Sequence, residues 1–178
     1  MSVVAHSRPD LLRKIFHPES RSYREDGLYS IMLYSGRQPV IITIDDCFMC
    51  KEQDHKHAFV RLTTNESGVR EIWPLLIEKA YAKLYGSYSA IEGGLVEKAL
   101  EALTNGSPQN IKLRDKEVEE QYNTGELWSR MEFWKQKNYL MGAGSPSGSD
   151  RDVSPMGIVQ GHAYSILDVA IIDSHKLV

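Results

Sequence analysis

Residues 71–88 read Glu71-Ile72-Trp73-Pro74-Leu75-Leu76-Ile77-Glu78-Lys79-Ala80-Tyr81-Ala82-Lys83-Leu84-Tyr85-Gly86-Ser87-Tyr88, and their pattern sets the fold class. Trp73, Leu76, Ile77, Ala80 and Leu84 recur at three- and four-residue spacing, which makes one apolar stripe of a helix. Pro74 fits the first turn, where its missing N–H costs little, and Gly86 fits the stop. Glu78, Lys79 and Lys83 read as a solvated face, worth a few tenths of a kcal/mol at most. Tyr81, Tyr85 and Tyr88 read, with the tryptophans, as core or wall residues.

Upstream of this helix, residues 28–34 and 40–44 are rich in β-branched and aromatic side chains. Ser35-Gly36-Arg37-Gln38 supplies a turn, so a β-hairpin is predicted, with Pro39 at the first residue of its strand. Residues 47–68 are polar and read as irregular. Downstream, a second helix is predicted over residues 95–103, burying Leu95, Ala99, Leu100 and Leu103 and ending at Asn105-Gly106. Residues 111–113 read as a short strand, and residues 127–135 as a helix burying Leu127, Trp128, Met131 and Trp134. A buried strand follows at 139–143. Residues 144–155, GSPSGSDRDVSP, have the composition of a mobile surface loop, and a last strand is predicted over 158–172. Helices before Gly106 and strands after Tyr139 indicate an α+β fold rather than a doubly wound sheet.

A chain of 178 residues can bury one substantial core, and 42% hydrophobic with 25% charged residues is ordinary for a globular protein. No apolar run reaches the roughly 20 residues needed to cross a bilayer. A net charge of −3 without a basic stripe speaks against nucleic acid as a partner. Two cysteines, Cys47 and Cys50, do not make a disulfide framework, and residues 1–14 contain no apolar signal region. A reducing, cytoplasmic setting is therefore expected.

Three stretches together resemble the catalytic core of the calpain family of cysteine proteases. The helix at 71–88 is similar to the family's E-x-W-x-x-L-x-E-K-A-Y-A-K-L-x-G-x-Y segment. Glu92-Gly93-Gly94 follows at the family's position, and Gly161-His162-Ala163-Tyr164-Ser165 resembles its histidine strand. Ile44-Asp45-Asp46 adds the family's I-D-D. The resemblance implies a papain-like core of two lobes with the active site in a cleft between them. Residues 1–106 would be the later part of the first lobe and residues 107–178 the early part of the second. It further implies a calcium-dependent cysteine endopeptidase acting on intracellular protein substrates, with His162 as the catalytic histidine.

The family's Q-G-x-x-G-D-C-W motif, which holds the nucleophilic cysteine, has no counterpart in the chain, nor does the N-P-W-G motif that holds the asparagine. The expectation is therefore an incomplete core, completed by flanking sequence and inactive alone. In a Cys-His-Asn site the histidine accepts the thiol proton and later protonates the leaving amine. From the residues alone, the preferred reading of His162 is a strand histidine bonded within the core, and it is the resemblance that reverses this. Gly94 and Gly161 match positions that bond the substrate backbone, since glycine has no Cβ to block an approaching peptide. Their plainer readings are a helix start and a bulge. Glu71 matches a Ca²⁺-binding acidic residue, although six to eight ligands are needed, and a helix-starting glutamate is the competing account. The loop at 144–155 would overhang the cleft.

Cys47 and Cys50 with His55 and His57 also suggest tetrahedral zinc. A C-x2-C-x4-H-x4-C knuckle would require cysteine at position 60, which is Val60, and a loop with two reduced thiols is preferred. Three functions follow: a calpain-like endopeptidase, a calpain-like interaction module without chemistry, and a small zinc domain.

Overall fold

A computed structural model describes the chain except for residues 54–55, 61–63, 65–66 and 150. His55 and the other masked positions lie outside the described residues. Helices and short strands are mixed, as an α+β protein requires, and among the described residues each sheet has two strands. The chain divides into two compact units. One comprises residues 10–94 and 102–105; the other comprises residues 1–9, 95–101 and 106–178.

In the first unit, β1 (Leu28–Ser35) and β2 (Gln38–Asp45) form the expected antiparallel hairpin. Gly36 and Arg37 both take positive φ, 54° and 67°, giving the two-residue turn whose twist suits a hairpin. Pro39 sits one residue inside β2, opposite Tyr34. Tyr29, Ile31, Leu33, Ile42 and Ile44 all face one side and are buried, because side chains alternate along a strand. A hairpin alone is marginal in water. Helix α1 (Trp73–Tyr85) packs against both strands and supplies the cover. Gly86 ends that helix as expected, in the left-handed conformation at φ 101°. Its buried set is wider than the predicted stripe: Leu75 and Ala82 are buried as well, while Trp73 and Leu84 are half-buried.

Helix α2 (Val96–Thr104) spans the boundary between the units, and Asn105, with φ 58°, ends it. Leu103 is buried as expected and Ala102 beside it, whereas Ala99 and Leu100 are half-buried and Leu95, which precedes the first helical turn, is 62% exposed.

The second unit departs further from the sequence reading. Residues 111–113 form no strand. Instead α3 (Lys116–Thr124) follows, between Asp115 and a left-handed Gly125, and pairs with α4 (Glu126–Gln136). Helix α3 buries nothing, so the apolar periodicity used to find helices was absent. In α4 only Leu127 is buried; Trp128, Met131 and Trp134 are half-buried. The strand β3 (Met141–Gly144) is largely exposed and Tyr139 is 57% exposed, so it is not the buried strand expected. The single last strand proves to be three short ones: β4 (Ala163–Ile166), β5 (Ala170–Ile172) and β6 (His175–Leu177). The break falls at Asp168, whose carboxylate accepts the Val169 N–H at 2.8 Å and pairs with Lys135 at 2.5 Å. That ammonium, followed by the Val169 N–H, holds the Asp168 carboxyl below its ordinary range. Asp173 and Ser174, both at positive φ, then turn β5 into β6. Among the described residues no helix is long and apolar enough to cross a membrane.

Candidate active site

His162 lies immediately before β4, at the base of the β3–β4 hairpin, and is exposed. Ser145 fixes its backbone on both sides. The His162 N–H donates to Ser145 Oγ at 2.8 Å, and the His162 carbonyl accepts from the Ser145 N–H at 2.9 Å and from its hydroxyl at 3.1 Å. The imidazole packs edge-on against Tyr164, with ring centroids 5.0 Å apart and an interplanar angle of 73°. Tyr164 is itself held, since its hydroxyl accepts from the Val159 N–H at 3.0 Å and donates to the Val159 carbonyl at 3.4 Å. A ring fixed from its backbone and from one edge has fewer orientations to lose when it engages a reacting group.

Among its described residues, the mostly exposed segment between β3 and β4 is cross-linked by hydrogen bonds. Val153 bridges Val159, and Gln160 N–H donates to the Asp152 carbonyl at 2.8 Å. Ser154 N–H donates to the Ile158 carbonyl at 2.8 Å, and the Ser154 hydroxyl accepts from the Ile158 N–H at 3.0 Å. Gly161 sits at φ 60° where the returning chain crosses Gly148, and a Cβ there would collide with the Gly148 carbonyl. Glycine is thus required by conformation and by space. The Gly161 N–H is committed to the Pro146 carbonyl at 2.7 Å. Gly142 is needed for a similar reason, because a Cβ would fall 2.7 Å from Val96 Cγ1.

His162 and Gly161 are therefore neighbours in the second unit, while Glu71 and Gly94 belong to the first. Gly94 precedes helix α2, is exposed, and has open space where a side chain would project. Glu71 is half-buried before helix α1, and its Oε2 accepts the Trp73 indole N–H at 3.0 Å. Its oxygen chemistry suits Ca²⁺, but among the described residues no group of three or more His, Cys, Asp or Glu could hold a metal ion. Cys47 and Cys50 are exposed free thiols, and Cys50 Sγ lies 3.8 Å from His57 Nδ1.

Sequence reasoning missed Ser145 and Tyr164 as positioning residues. The tyrosine was within the quoted motif, and its i, i+2 spacing from His162 places both on one side of a strand. The serine is 17 residues away and carried no local signal.

His162 thus presents an exposed imidazole beside a strand, held through its backbone by Ser145 and along one edge by Tyr164. The profile of the calpain family cysteine proteases matches residues 1–178, and the chain belongs to that family. It is 46% identical over 156 residues to the calpain-type cysteine protease ADL1 of Oryza sativa subsp. japonica, covering 88% of this chain and 7% of that protein. The same figures hold for the calpain-type cysteine protease DEK1 of Arabidopsis thaliana. Calpain-12 of Homo sapiens is 31% identical over 159 residues, with 89% of this chain and 20% of that protein covered. The chain thus spans about 7% of the length of the plant relatives it matches.

Proposed function

We propose that the chain supplies the general-base histidine and substrate-lining backbone of a calpain-type cysteine endopeptidase core, with a papain-like, two-lobed architecture. Residues 1–106 are assigned to the first lobe and residues 107–178 to the second. The observation that carries this reading is the exposed imidazole of His162, whose backbone Ser145 holds and whose ring lies against Tyr164, in a chain matched end to end by the family profile.

In the proposed reaction His162 takes the proton of a cysteine thiol and remains beside the thiolate as imidazolium. It then gives that proton to the leaving amine as the peptide bond breaks to an acyl-enzyme. The Gly161 carbonyl would accept from a substrate N–H, because its own N–H is already spent on Pro146. Gly94, open on its Cβ side, would let an extended peptide approach its main chain. Neither Cys47 nor Cys50 stands in a G-D-C-W context, so the thiol is assigned to sequence outside these residues. Calcium dependence belongs to the same proposal: Glu71 would offer one carboxylate, and no step is routed through the ion. Protein substrates and a cytoplasmic setting complete it.

The test uses the full-length protein that contains this chain. H162A should lower casein cleavage at least about a thousandfold while leaving the folded fraction unchanged. Retention of cleavage by H162A would sink the proposal. A full-length protein inactive even as wild type would favour a non-catalytic interaction module instead. The 178-residue chain alone should show no proteolysis, and thiol-sensitive cleavage by it would reassign the nucleophile to Cys47 or Cys50.

A further inference from the structure

We propose that Cys50 is a thiol-exchange site, activated by His57, that forms mixed disulfides with small-molecule disulfides. It is separate from His162 and does not depend on the peptidase reading.

Backbone pairing between residues 49–51 and 56–58 builds the pair. Cys50 bridges His57 across an antiparallel contact. The Lys51 N–H donates to the Lys56 carbonyl at 2.8 Å on one side, and the Ala58 N–H donates to the Met49 carbonyl at 2.9 Å on the other. Directly opposed residues bring their side chains together, and here the thiol sulfur stands 3.8 Å from His57 Nδ1. The imidazole is half-buried and held edge-on against Phe48, with centroids 5.9 Å apart at 86°. The sulfur itself is on the exposed side, where a solute can reach it.

Cys47, three residues away and equally exposed, has different surroundings. Its N–H donates to Asp45 Oδ1 at 2.8 Å. The Asp45 carboxylate beside Cys47 is already paired with the Lys79 ammonium at 2.6 Å and is a weaker base than an imidazole, so of the two thiols Cys50 has the partner suited to take its proton. Nucleophilic attack proceeds through the thiolate, so the two sulfurs of one short segment should differ in rate.

In the exchange, His57 Nδ1, in the tautomer protonated at Nε2, accepts the Cys50 proton. The sulfur then attacks one sulfur of the disulfide. A new S–S bond forms to Cys50 as the old one breaks, and the departing thiolate takes the proton from the imidazolium. One protein thiol is oxidised and half of the disulfide is reduced to a free thiol.

The test follows both cysteines of the 178-residue chain by mass spectrometry during exposure to glutathione disulfide at pH 7. Cys50 should be modified about tenfold faster than Cys47. The lead should vanish in H57Q, which cannot take the proton, and in H57F, which keeps a ring against Phe48. It should vanish as well in denaturant, where the bridge is lost. Equal rates in the native protein would overturn the proposal, as would survival of the Cys50 lead in either variant.

Discussion

Eight residues on each side of the β1–β2 hairpin alternate in and out, and their inward set is buried beneath helix α1. The β3–β4 hairpin has four residues on each side and buries none of them. The two hairpins are held by different physics. The first rests on apolar area, with each buried Ile or Leu worth about 1.5–3 kcal/mol. The second, which displays His162, rests on backbone geometry and on individual hydrogen bonds, among them those accepted by the Ser145 and Tyr164 hydroxyls, each worth about 1 kcal/mol. Stability and placement of the candidate histidine are thereby separated, and substitutions should affect one without the other.

The largest effect is expected where the contrast is sharpest. I31A removes a side chain with no exposed surface and should cost about 2–5 kcal/mol in urea unfolding of the first unit. A loss below 1 kcal/mol would mean that this core is not what holds the hairpin. G161A should cost less, about 1–3 kcal/mol, because alanine must adopt φ near 60° against the Gly148 carbonyl. Hydrogen exchange should report the damage at residues 145–162 while residues 28–45 keep their protection. S145A should cost about 1 kcal/mol and loosen the His162 amide, measured as faster exchange at that position alone.

The smallest effect concerns charge on the stable side. Lys79 donates to Asp45 Oδ1 at 2.6 Å, and with the Cys47 N–H it brings the Asp45 carboxyl down to about 2 from 3.8. A carboxylate held below its unfolded value stabilises the fold above about pH 4, and that contribution is lost as pH falls through about 2. Because Asp45 is exposed, salt should screen much of the effect. D45N should flatten acid unfolding between those limits; an unchanged acid curve would show that the pair contributes nothing.

What was legible in the sequence was whatever repeats within a few residues. The stripe of Leu76, Ile77 and Ala80, the Gly86 stop and the Gly36-Arg37 turn are local signals, and the folded chain keeps all of them. His162, Gly161, Gly94 and Glu71 stood out through a family pattern, which names residues without saying what holds them. Helix α3 escaped because a helix that buries nothing leaves no apolar periodicity. The last strand was read as one because β-branched residues run through residues 158–172, whereas Asp168 and the Asp173-Ser174 turn cut it into pieces.

Residue order alone therefore determined the helix over residues 73–85, the first hairpin and the glycines at its turns, since short-range sterics and periodic burial dictate them. Pairings across the chain decided the rest: Ser145 with His162, Gly148 with Gly161, Cys50 with His57. Such contacts join residues 7 to 17 positions apart, and no local preference encodes them. They exist because the backbone returns to the same place, and that return is a property of the folded molecule.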